Sequence, residues 1–209
     1  MALDQMMILK HYQHLIVSDR GIDMDDVKQR LDRIKELISD ADFLANKGLS
    51  NEVGIYVFDY NPKDEMIVRE FIHKLVETPS NDYRIIEYNL YKIFLEILED
   101  EDILDTMPDF EEEEGKESFL NEIHNNNAPP EEYINKMIYE PTLPGDVIII
   151  TGVGAVYPFM RASIILNKMQ KYFTGVPILL FYPGTYNGQT LNLFDKFHDD
   201  NYYRAFNKI

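Results

Sequence analysis

The chain has 209 residues, 45% of them hydrophobic, no cysteine, and a formal charge of −17. That length suits one compact domain with its own core, and the missing cysteine excludes disulfides, thiolate metal sites and a cysteine nucleophile. A chain so acidic, without a basic stripe, does not fit sequence-independent nucleic-acid binding, which neutralises phosphates with Lys and Arg.

Residues 1–22 read as an N-terminal extension of helical pattern. MALDQMMILKHYQHL lacks the basic segment and small-residue cleavage site of a secretory leader. No run in the chain approaches the roughly 18–20 apolar residues that cross a bilayer. A cytoplasmic protein is therefore expected. His11 and His14 share a helical face, but no third ligand stands near them, so a surface pair is the simpler reading. The segment 23–209 reads as a single α/β domain.

Within it, Val27, Leu31, Ile34 and Ile38 repeat at helical spacing and give one apolar stripe. Val53 to Tyr60 is a short apolar run of the kind that forms a strand covered on both faces. Asn61-Pro62 then supplies an N-cap and a first helical residue, followed by the stripe Val68, Phe71, Ile72 and Leu75. Tyr83 to Tyr88 is a more polar strand candidate, suited to a sheet edge. Leu90, Phe94, Leu95 and Leu98 mark another helix.

That helix runs into acid. Between Glu96 and Glu117 stand Glu99 to Asp102, Asp105, Asp109 and Glu111 to Glu114, with Lys116 as the single base. The stretch from about 99 to 128 reads as a solvated insertion kept open by its own repulsion. A docking segment for a basic partner is the alternative. Pro129-Pro130 precedes a short helix around Glu131 to Tyr139. Val147 to Ile150 and Val176 to Tyr182 are two further buried strands, and Phe159, Ala162, Leu166 and Met169 mark the helix between them. The alternation predicts a mostly parallel sheet with helices on both faces, Rossmann-like or P-loop-like.

In such sheets ligands gather at the carboxyl ends of strands. The first end carries Asp59, which interrupts an apolar run. The second, Thr151-Gly152-Val153-Gly154, resembles half of a dinucleotide fingerprint, although a tight turn needing a left-handed backbone is the simpler reading. The third is Pro183-Gly184-Thr185-Tyr186-Asn187-Gly188. The Walker A pattern, the GxSxG elbow and the HExxH helix do not occur. No catalytic residue, metal or cofactor is expected from these patterns. Phe194, Phe197, Tyr202, Tyr203 and Phe206, with Arg204, crowd the tail. Aromatics beside an arginine either cover a core or build an interface hot spot.

The segments GDVIIITGVGAVYPFMRASIILNKMQ, VPILLFYPGTYNGQTLNLF and DDNYYRAF resemble the BrxB family of bacteriophage-exclusion (BREX) loci. The resemblance is dense from Gly145 onward and loose from Asp25 to there. It rests on Thr151 to Gly154, Pro158-Phe159, Arg161, Phe181 to Thr185 and Asn201 to Arg204. It implies a cytoplasmic protein encoded beside a PglZ-type phosphatase-like protein, a BrxC-type ATPase and a PglX-type adenine methyltransferase, which block phage while methylation marks host DNA. The family supplies no catalytic residue, and a scaffold bridging those components is the implied role. The residues expected to form a binding surface are Asp59, Gly152, Gly154, Arg161, Tyr182, Gly184, Tyr203 and Arg204, with Arg161, Tyr182, Tyr203 and Arg204 close together. The alternative is a nucleotide- or phosphate-binding domain in which Gly152, Gly154 and Arg161 hold an anion.

Overall fold

The structure, a computed structural model, describes residues 24–46, 54–198 and 206–209. Helices α1 (Met24–Leu37) and α2 (Ala41–Leu44) precede strand β1 (Ile55–Tyr60), which leads through a 3-10 turn (Pro62–Asp64) into α3 (Glu65–Glu77). Strand β2 (Arg84–Asn89) runs directly into α4 (Leu90–Asp100), followed by α5 (Met107–Glu122) and α6 (Pro130–Met137). Then come β3 (Asp146–Thr151), the short α7 (Val153–Val156), α8 (Ala162–Met169) and the long β4 (Ile178–Tyr186). Strands β5 (Leu191–Leu193), β6 (Phe197–His198) and β7 (Phe206–Lys208) complete the order.

The central sheet runs β2-β3-β4-β1-β7, with every neighbouring pair parallel. Strands β5 and β6 add an antiparallel flap to the carboxyl end of β4. Helices cover both faces because the connections reverse direction. From β1 the chain passes over β4 and β3 to reach β2, then returns one strand at a time. A right-handed crossover that changes direction must change face. Accordingly α1 and α3 pack on one face, and α4 to α8 on the other.

The strands show why their apolar runs are continuous. Val147 and Ile149 of β3 enter the first core while Ile148 and Ile150 enter the second. In β1, Phe58 and Tyr60 face one core and Ile55 and Val57 the other. Neither side is left for water, so alternation disappears. Each isoleucine or leucine fully buried in this way contributes roughly 1.5–3 kcal/mol. Strand β2 pairs with β3 alone among the described residues and is only half-buried, as its more polar sequence predicts.

Two expectations need correction. The acidic stretch does not stay open: Met107–Glu122 is helical, and Met107, Phe119 and Ile123 bury their side chains in the larger core. The apolar residues interspersed with the acids anchor the segment, while Glu112 to Glu117 stay exposed. Gly115 breaks the helix with φ +80°, a conformation open to glycine. Also, the helix marked from Phe159 starts only at Ala162. Pro158 and Phe159 belong to the loop after α7, where the Phe159 ring stacks on Phe94 at 4.6 Å. The expected extension 1–22 lies outside the described residues.

Candidate functional site

At the end of β1, Asn61 behaves as its sequence position predicts: its side chain accepts a hydrogen bond from Lys63 N–H, with Pro62 opening the turn. Asp59 is 5% exposed and already engaged. Its Oδ1 accepts from Arg30 Nη2 at 2.8 Å, and its Oδ2 accepts from the buried backbone N–H of Tyr186 at 2.9 Å. Arg30 also donates to the Ile209 carbonyl at 3.1 Å and lies 4.7 Å over the Phe58 ring. The carboxylate thus joins α1, β1, β4 and the C-terminal residue. This lies between β1 and β4, where the connections diverge and α/β sheets usually open a ligand crevice.

The glycine loop after β3 is filled in the same way. Gly152 caps α7 with φ +70°, and a Cβ there would fall 2.2 Å from Asn89 Oδ1. That oxygen is itself occupied, accepting from Tyr91 and Lys92 N–H at the start of α4. A Cβ on Gly154 would sit 2.9 Å from the Phe194 ring and 3.1 Å from Pro183. Both glycines therefore admit neighbouring side chains where a phosphate would otherwise lie. Thr151 donates its hydroxyl to Glu87 at 2.6 Å, placing a carboxylate at the same strand end. Gly184, with φ +150°, lets the Asn192 carbonyl approach to 2.1 Å of where a Cβ would stand, so β5 can pair with β4.

Arg161 and Tyr182 do come together. They line a cavity of about 30 Å³ between the α7–α8 loop, β4 and the β5–β6 flap, with Tyr157, Ser163, Leu193 and His198 among its walls. Ser163 is 1% exposed, and its Oγ has no hydrogen-bond partner among the described residues. Phe194 and Asp195, at the turn of the flap, adopt φ +55° and +58°. These angles are unusual for residues with side chains and mark strain of the sort found near functional sites. Tyr203 and Arg204 lie outside the described residues.

Ser163, His198 and the flap were missed from sequence. The first turn of the flap had a signal: Asn187-Gly188 followed by alternating Leu191 and Leu193 is a hairpin pattern. Asn187 Oδ1 indeed accepts from Gln189 and Thr190 N–H. The second turn, Phe194-Asp195, offers only Asp195 as a usual turn residue and puts Phe194 in the left-handed region beside it. Among the described residues no three His, Asp or Glu side chains group as metal ligands, and no helix is long and apolar enough to cross a membrane.

The family model described as BREX protein BrxB matches residues 86–208. A BREX protein BrxB of Bacillus cereus (strain H3081.97) is 43% identical over 194 residues, covering 89% of this chain and 99% of the relative. One from Escherichia coli O9:H4 (strain HS) is 29% identical over 185 residues, 88% of this chain and 92% of the relative. No solved structure matches. With its dense strand-end motifs inside the matched region and nearly the full length of both relatives covered, the chain belongs to the BrxB family, a component of bacteriophage-exclusion systems.

Proposed function

We propose that this chain is a non-catalytic subunit that bridges other BREX components, namely the PglZ-type, BrxC-type and PglX-type proteins. The observation that carries this reading is the occupancy of the strand ends. Asp59 is spent on Arg30 and Tyr186 N–H, and the Gly152–Gly154 loop is filled by Asn89, Phe194 and Pro183. A catalytic carboxylate needs access to a reacting atom, and a phosphate loop needs free backbone N–H groups. The exposed acids Glu112 to Glu117 on α5 add a surface suited to steering a basic partner.

The β2-β3-β4-β1-β7 order differs from the Rossmann and flavodoxin-like orders. We read the layout as P-loop-like without its phosphate loop, since β1 is followed by Asn61-Pro62 in place of glycines and lysine. A nucleoside needs a pocket of roughly 300 Å³ or more, so the cavity beside Arg161 supports only a smaller ligand. The bridging role is tested by co-expressing the chain with each BREX component and following affinity capture and size-exclusion chromatography. Stable co-elution with at least two components is expected. Elution alone in every combination, at low salt, would overturn the reading.

A further inference from the structure

We propose that the free edge of β2 is a docking strand: it takes up an extended segment of a different protein, apolar at its centre and basic at its flanks, as one more strand of the sheet. The proposal rests on the bridging reading only for the claim that this protein is another BREX component.

The edge is open in its backbone. Strand β2 pairs with β3 alone among the described residues, in an unbroken register from Arg84 to Asn89. Arg84 N–H donates to the Gly145 carbonyl at 3.0 Å, towards β3. Backbone groups of successive strand residues point to alternate sides, so the N–H and C=O of Ile85 and Glu87 point away from β3. They find no strand partner among the described residues. Sheets usually protect such an edge with lysine, proline or a bulge; β2 has none of these.

The flank of the edge is apolar and exposed. The connection from α6 to β3 runs along it. The Met137 carbonyl accepts from the Tyr88 hydroxyl at 2.5 Å, and Leu143 N–H donates to Asp146, which Arg84 holds. This connection shows solvent Tyr139 at 89%, Leu143 at 58% and Ile138 at 39% exposure. Ile85 and Ile86, on the two faces of β2, are only half-buried. Apolar residues exposed singly need no explanation, but three beside an unpaired strand edge mark a binding surface.

Charge decides the occupant. Asp82 precedes β2, Glu87 lies within it, and the exposed Glu140 acts electrostatically on both Arg84 and Tyr88. The Arg84 charge is answered by Asp146. Pairing two copies edge to edge would bring these acids together in a chain of charge −17. A segment with lysine or arginine at its flanks meets them with opposite sign.

Isothermal titration of the full chain with a short capped peptide, valine and threonine at its centre and lysine at both ends, tests the edge by itself. Saturable binding is expected, weakened about tenfold or more when the central residues of the peptide are N-methylated, because the ladder then loses its donors. Amide exchange should show the N–H groups of Ile85 and Glu87 open in the chain alone and protected by the peptide. Capture of BREX components is then repeated with Tyr139→Ala and with Ile85→Pro, which removes an outward N–H and keeps the ladder to β3. Affinity for one component should fall about tenfold or more in both. Equal binding of the N-methylated peptide, or no binding of either peptide, would overturn the proposal. So would protection of Ile85 and Glu87 in the chain alone. A doubled mass in size exclusion would then identify a second copy as the occupant, and an unchanged mass a segment of this chain. Components captured with unaltered affinity by both variants would overturn the proposal and leave the bridging role standing. Peptide binding without capture of any component would leave the docking edge standing and remove the bridging role. Because Tyr139 is exposed, its variant keeps the comparison sound where Ile85→Pro fails to fold.

Discussion

Replacing Asp59 separates a structural from a chemical reading of the best polar candidate in the sequence. Asp59→Ala leaves the Tyr186 N–H, inside a fully buried residue, without its acceptor. An unsatisfied buried donor costs about 1–3 kcal/mol. Arg30 also loses its partner, but its side chain is 22% exposed and regains water, so that part is worth only about 1 kcal/mol. The sum is about 2–4 kcal/mol, or a fall in melting temperature of roughly 4–16 °C for a chain of this size. Asp59→Asn retains an oxygen for Tyr186 N–H and loses only the charge, so about 1 kcal/mol is expected. Urea unfolding of the three proteins, at constant slope, gives both differences. A loss under about 0.5 kcal/mol for Asp59→Ala, or equal losses for alanine and asparagine, would refute the argument that this carboxylate clamps β1 to β4.

Other sites give outcomes of different sign. Tyr133 is completely buried with its hydroxyl unpartnered among the described residues, and burial pushes its ionisation well above the usual tyrosine range. Tyr133→Phe should therefore stabilise the chain by about 1 kcal/mol in urea unfolding; a comparable loss would mean that the hydroxyl has a partner. Gly184→Ala drives a Cβ into the Asn192 carbonyl and should cost about 2–4 kcal/mol or detach the flap, seen as earlier proteolysis between Asn187 and His198. The Arg84 guanidinium, hydrogen-bonded to Asp146, holds that carboxyl below its usual range, with Leu143 N–H helping against the opposing effect of burial. A depressed folded value means that this stabilisation is present above the unfolded carboxylate pKa and is lost as pH falls through the folded one. The stability difference between wild type and Arg84→Gln should thus hold steady from about pH 7 to 5 and shrink below about pH 4; a difference unchanged at pH 3 would contradict it.

The parts of this fold that read directly from sequence are those in which one physical effect dominates. Val147 to Ile150 and Val176 to Tyr182 face apolar cores on both sides, so continuous hydrophobicity was sufficient evidence. Val27, Leu31, Ile34 and Ile38 all bury in one core and kept their helical spacing. The flap was harder because its second turn opposes local preference. Phe194 and Asp195 take positive φ, and the Phe194 ring packs on the Cβ-less Gly154. That contact joins residues forty apart, and neither position discloses it alone. Gly154 drew attention as a phosphate signal, yet the same missing Cβ serves an aromatic ring. Distinguishing these uses required Phe194 to be in place.

The acidic stretch shows how composition misleads when buried anchors flank a run of exposed charge. Counting Glu111 to Glu114 with Asp109 and Glu117 predicts repulsion and an open chain. Repulsion between exposed carboxylates is screened over about 8–10 Å at ordinary salt, whereas burying Met107, Phe119 and Ile123 is worth roughly 1.5–3 kcal/mol each. Three such anchors outweigh the screened repulsion, so the segment folds and directs its acids outward. The edge-on contact of Phe119 with Phe159, at 6.0 Å, then ties this helix to the loop that delivers Arg161. The exposed acids of this helix and the cavity beside Arg161 are consequently supported by one aromatic cluster on the same face of the sheet.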